Sequence, residues 1–184
     1  MIRKLLDSIA FRTTKRYNVL KIRDLPANYW DKDTILLYAV MQLVVDFVEI
    51  ECAFMELDAP YTLRQTINLW LPWFLRSDEV YRNRELGLKH LEMLERFYGD
   101  KANGPSDIPK VIRDVYLWWK DVRPNRPDPG DASGLNKYMK QTQKKDDKKV
   151  ERLILAADKV EAQYEREDTA MLKKIIDVRT FMWT

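Results

Sequence analysis

The stretch "TILLYAVMQLVVDFVEIECAFMEL", Thr34 to Leu57, decides the fold class. Its apolar residues run nearly all round a helical wheel, and a helix of that kind is buried on several sides by other helices. A helix over 34–57 is therefore the expected centre of an all-α domain. Gln42, Asp46, Glu49 and Glu56 follow at spacings of four, three and seven, which places one polar stripe along it. The uncharged run within it, Thr34 to Val45, is shorter than the roughly 20 residues that a membrane span needs. No membrane span is expected. Asp31 and Asp33 are placed to cap its start, and Pro60 to end it.

Composition agrees with a helical domain. The chain has 184 residues, 46% of them apolar and 33% charged, too apolar for a disordered chain and suited to one globular unit, 1–184. Five glycines against six tryptophans and nine tyrosines is a turn-poor mix that favours long helices over a many-stranded sandwich. The single cysteine, Cys52, cannot form an intrachain disulfide and falls in the apolar run, as a packing residue. A reducing cytoplasm is its natural setting. Residues 1 to 12 lack the pattern of an export signal, because Asp7 interrupts the apolar segment.

Charge is uneven along the chain. Residues 1 to 34 carry eight Lys/Arg and four Asp/Glu, and residues 35 to 63 carry five acids and no Lys or Arg. The reading is a basic N-terminal arm, 1–33, ahead of an acidic central helix. Within the arm, 2–11 reads as a short amphipathic helix and "RYNVLKI", Arg16 to Ile22, as extended. Beyond the centre, "TLRQTINLWLPWFLRS" is helical until Pro72, and a helix over 78–98 follows from Ser77 to the stop at Gly99. Pro109 opens a helix over 109–122. A Pro-rich connector, 123–134, then leads to a long C-terminal helical region, 135–184, capped by Ser133. From Val150 onward apolar residues recur at alternating spacings of three and four to Met182, broken only at the acidic "ERED", a stripe that packs on a helix inside the chain or across a homo-oligomer. The whole is an irregular bundle of five or six helices with a short extended N-terminal arm.

Catalytic signatures are sparse: no phosphate-cradling glycine loop, no paired-cysteine zinc spacing and no nucleophile elbow occur. No cofactor or metal site is expected from such motifs. His90 stands alone, at the edge of an apolar helix face. Asp46 and Glu49, with Glu92 and Glu95 on the next long helix, form the one enzymatic alternative: two acids at i,i+3 on each of two helices suit Mg²⁺, as in all-helical nucleotide phosphohydrolases. Those enzymes add a second Glu-x-x-Asp element that has no counterpart in register here. Lys137, Lys140, Lys144, Lys145, Lys148 and Lys149 are a candidate phosphate track for nucleic acid, weakened by Asp146 and Asp147 between them. Trp70 and Trp73 in "INLWLPWFL", and Trp119, Arg123 and Arg126 in "YLWWKDVRPNRPDPGD", carry the aromatic and arginine enrichment of protein interfaces. Trp118 continues the apolar stripe of Val111 and Val115 as a core residue, and Trp119 lies at the edge of that face with Arg123 one turn on to stack on it. The two arginines face a partner or solvent, or cap the last helix carbonyls.

The segments "RYNVLKI", "YWDKDT", "DFVEIE" and "WWKDVRPNRPDP" together resemble small uncharacterised helical proteins encoded by tailed bacteriophages, over about a third of the chain. That resemblance carries no activity over to these residues. It implies a setting, the cytoplasm of an infected cell or a virion, and a protein that acts by binding a host or viral macromolecule.

Overall fold

The middle of the central helix is covered by other helices, while Leu36 near its start and Met55 at its end stay exposed. The computed structural model describes residues 20, 22–25, 28–57, 62–72, 78–99, 107–141 and 146–183, and every regular element among them is helical. The expected elements at 2–11 and 16–22 lie wholly or mostly outside the described residues, as do Pro60 and Ser77.

Helix α1, Lys32–Asp46, begins two residues before the expected Thr34 and passes without a break into a π-helical stretch, Phe47–Cys52, and a last turn, Ala53–Met55. Leu37, Met41, Val44, Val45, Val48 and Cys52 along it are buried in one cluster. The helices that cover it are α3, Arg84–Gly99, α4, Ile108–Leu117, and the end of α7, Asp147–Val178. Leu91 of α3, Ile112, Val115 and Tyr116 of α4, and Ile175 and Val178 of α7 close the core. At the tightest approach Gly87 of α3 lies against the carbonyl of Val48, where a Cβ would strike backbone. Helix α2, Leu63–Trp70, is opened by a reciprocal cap between Thr62 and Gln65 and ends before Pro72.

The helix expected over 78–98 is two pieces. A 3₁₀ turn, Asp78–Tyr81, precedes α3, and Asn83 between them accepts from the Leu86 amide at 3.1 Å while donating its own amide to the Glu49 carbonyl at 2.7 Å. That tie to α1 sets the break. Helix α4 runs into a π-helical stretch, Trp118–Val122. The Pro-rich connector after it contains two short helical elements. Arg123–Asn125 is a 3₁₀ turn and α5, Pro129–Ala132, is a short helix capped by Asp128. Pro124 and Pro129 both stand in the first turn of their elements, where the missing N–H is not needed.

The C-terminal region is likewise divided, into α6, Leu135–Gln141, and α7. Ser133 accepts from the Leu135 amide, as its capping role requires, and Asp146 caps α7 through the Lys148 amide. The expected apolar stripe packs within the chain: Ile175, Val178 and Met182 are core residues, and Leu153, Val160 and Tyr164 are half-buried. No helix among the described residues is long and apolar enough to cross a membrane.

Candidate functional site

The polar stripe of α1 is the first place to look for chemistry, because burial forces each acid on it to find a cation or a donor. Asp46 accepts from Gln42 Nε2 at 2.9 Å, from Arg82 at 2.7 Å and from Arg23 at 2.6 Å. Glu49, buried at the π-helical stretch, accepts from the Tyr116 hydroxyl at 2.8 Å and pairs closely with Arg82, and Lys120 lies 3.9 Å away. Arg23 and Arg82 both reach Glu79 as well, so two guanidiniums are shared among three carboxylates. Burial, with the hydrogen bond to Glu49, pushes the Tyr116 phenol well above its usual value. Burial opposes the charge on Arg82, but its bonds to Asp46 and Glu49 outweigh that and raise it further.

The acids of the alternative Mg²⁺ site are otherwise engaged or apart. Asp46 and Glu49 spend their lone pairs on two arginines, Glu95 pairs with Arg113 at 2.7 Å, and Glu92 is exposed on α3. The four carboxylates are not brought to one point, and no group of three or more metal-ligating side chains occurs among the described residues. Further along the stripe, Glu56 accepts from His90 Nδ1 at 2.9 Å and pairs with Lys89 at 3.2 Å. His90 is accordingly a buried structural partner. Burial pushes the Cys52 thiol up to about 12, with Glu51 adding to it, which suppresses the reactive thiolate.

The "WW" segment is also used internally. Trp119 is 5% exposed, not half-open at a face edge, because Tyr38 meets it edge-on at 4.9 Å and the Arg123 guanidinium lies 4.8 Å from its ring centre. Arg123 bonds to Tyr38 and to Asp168 of α7. Arg126 sits over the rings of Trp118, at 5.1 Å, and Tyr164, at 4.8 Å, and pairs with Asp168 and Glu167, each at 2.6 Å. Both guanidiniums are bonded to side chains within the chain, not to the last helix carbonyls. They clamp the end of α4 to the middle of α7, and the signal for this, the acids Glu167 and Asp168 inside "ERED", lies some forty positions away in sequence.

Of the lysine track, Lys137 and Lys140 are exposed on α6 and Lys148 and Lys149 on α7, with Lys149 held over the Tyr138 ring at 4.5 Å; Lys144 and Lys145 lie outside the described residues. Lys148 aligns instead with Arg152, Lys159 and Arg166, an exposed basic stripe on α7 that neighbours an acidic one.

Helix α2 is built inside out. Leu63, Ile67 and Trp70, at spacings of four and three, form its apolar face, and that face points to solvent, with Trp70 86% exposed. The polar side is the buried one. Gln65 donates to the Val80 carbonyl at 3.4 Å, and Asn68, 4% exposed, donates to the Tyr81 hydroxyl at 3.3 Å. The spacing of Leu63, Ile67 and Trp70 reads in sequence as a core face; Gln65 and Asn68 opposite, three apart, are the one local sign of the inversion. Trp73, the other expected partner residue here, lies outside the described residues.

No protein-family model matches the chain, and neither a curated protein nor a solved structure shows a significant likeness to it.

Proposed function

We propose that this chain is a non-enzymatic interaction protein of bacteriophage type, which binds a protein of the host or the virus through the outward apolar face of α2. The observation that carries this reading is the inversion of that helix. Burying a side chain of this size is worth about 2 kcal/mol, and at Trp70 the fold forgoes it. Gln65 and Asn68 anchor the helix by hydrogen bonds from its other side, so Leu63, Ile67 and Trp70 are held in place rather than left over. An exposed tryptophan flanked by aliphatic side chains is the composition of an interface hot spot. The place of action in this reading is the infected cytoplasm or the virion.

The test is affinity capture from phage-infected bacterial cells with the natural chain and Trp70→Ala side by side. Trp70 makes so little internal contact that the variant should keep its stability within about 0.5 kcal/mol. A protein captured by the natural chain and lost with Trp70→Ala supports the reading. Identical captured proteins from both, or none from either, count against it.

A further inference from the structure

Away from α2, a second place has its own chemistry. Beside the π-helical stretch Trp118–Val122 the surface sinks into a cavity of about 340 Å³, lined by Asp24, Tyr38, Trp119, Lys120, Arg123 and Pro124. That is the lower end of the size range of small-molecule sites, and π-helical turns recur at functional positions. Its walls are of two kinds. Tyr38, Trp119 and Pro124 supply ring surface, and Lys120 and Arg123 supply cations. Arg123 is already matched, by two bonds to Asp168 and one to the Tyr38 hydroxyl. Lys120 is not. Its ammonium stands 3.7 Å from Asp24 and 3.9 Å from Glu49, too far for a hydrogen bond to either. Among the described residues its N–H donors therefore have no acceptor.

Of the two carboxylates that face Lys120, Glu49 is buried and fixed, accepting from Tyr116 and paired with Arg82. Asp24 is neither. It lies on an irregular stretch of chain, is exposed, and makes no hydrogen bond among the described residues. We infer that this cavity is a site for a small organic anion, whose phosphate or carboxylate replaces the Asp24 carboxylate beside Lys120 and whose apolar body lies against Tyr38, Trp119 and Pro124. Asp24 is a stand-in for that ligand, a carboxylate of the chain itself that keeps near the ammonium until a better-placed oxyanion bonds to it. Charge selects the occupant. Lys120 and Arg123 carry donors and no lone pairs, so they repel a cation and offer a ligand's N–H groups nothing to bond to. With Asp24 turned away, the nearest remaining acids, Glu49 and Asp168, are each held by arginines. An ammonium in a ring-walled cavity also binds an oxyanion more strongly than the same group on open surface.

The experiment titrates the full chain with phenyl phosphate, benzoate and inorganic phosphate by isothermal calorimetry. Phenyl phosphate and benzoate should both bind, the tighter of the two assigning the oxyanion to phosphate or carboxylate. Inorganic phosphate should bind about ten-fold more weakly than phenyl phosphate, because it leaves the ring walls uncovered. Lys120→Met should weaken binding about ten-fold, and Lys120→Arg should restore it to within about three-fold of the natural chain. Asp24→Asn should tighten it about three-fold by removing the competing charge. Lys137→Met, on exposed α6, and Trp70→Ala, on α2, should leave it unchanged. Absence of binding in both the natural chain and Asp24→Asn would overturn the inference. So would a Lys120→Met that binds like the natural chain, a Lys120→Arg that loses as much as Lys120→Met, or an equal loss with Lys137→Met, the mark of net charge alone. Weaker binding in Asp24→Asn would make that carboxylate a ligand contact and overturn its part as stand-in. Equal affinity for phenyl phosphate and inorganic phosphate would remove the ring walls from the site.

Discussion

Arg126 and Asp168 stand 42 residues apart in sequence and 2.6 Å apart in space, with the Trp118 and Tyr164 rings beside the guanidinium. Asp168 serves Arg123 as well, at 3.1 Å, so one carboxylate holds two cations that the end of α4 brings together. Removing it leaves Arg123 without a carboxylate and Arg126 with Glu167 alone, in a largely buried place.

Asp168→Ala should therefore cost about 3 kcal/mol in urea denaturation, within the range for breaking a buried ion pair from one side. Arg126→Met should cost less, because an apolar chain among aromatic rings leaves no uncompensated cation. A loss under about 0.5 kcal/mol for Asp168→Ala would mean that solvent already satisfies both guanidiniums.

Gly87 offers a sharper contrast. In an exposed helix Ala would be preferred to Gly by about 1 kcal/mol. At this position an added Cβ meets the Val48 carbonyl, part of the backbone and unable to turn aside. Gly87→Ala should destabilise the chain by about 2 kcal/mol as α3 is pushed off α1. Thermal melting checks the sign, and a raised midpoint would show that the two helices do not meet so closely.

For pH dependence the informative group is Glu56. His90 first, then Lys89, hold its carboxyl below its ordinary value of 4.5 through hydrogen bonds. A carboxyl depressed by folding contributes stability that is present above the unfolded value and lost as pH falls through the folded one. The natural chain should thus exceed Glu56→Gln in stability above about pH 4.5, and the gap should close as acid is added below it. Chemical denaturation of both proteins at steps from pH 6 down to 3 measures the gap. A difference that stays constant across that range would place the effect outside this carboxyl.

What was legible in the sequence follows the range of the interaction. The central helix was readable because its apolar periodicity depends only on neighbours, and so were the stop at Pro72, the cap at Ser133 and the first-turn place of Pro109. Trp118 was placed in the core for the same reason. Trp119 was misjudged because a helical wheel knows one helix: it put the residue at a face edge and had no means to see Tyr38 and Arg123 closing over it. The carboxylates of α1 looked like metal ligands for a similar reason. Arg82, which neutralises them, is more than thirty residues downstream in a short stretch with no periodicity to read.

By itself, then, the order of residues determined a helical domain, its central element and the punctuation of its prolines, since each rests on contacts within a turn or two. Tertiary structure alone decided which cations meet Asp46, Glu49 and Asp168, and which side of α2 faces out. Apolar spacing normally turns a helix inward, but at α2 the bonds of Gln65 and Asn68 to Val80 and Tyr81 hold the polar side in the interior. Leu63, Ile67 and Trp70 are exposed by contacts that none of the three makes.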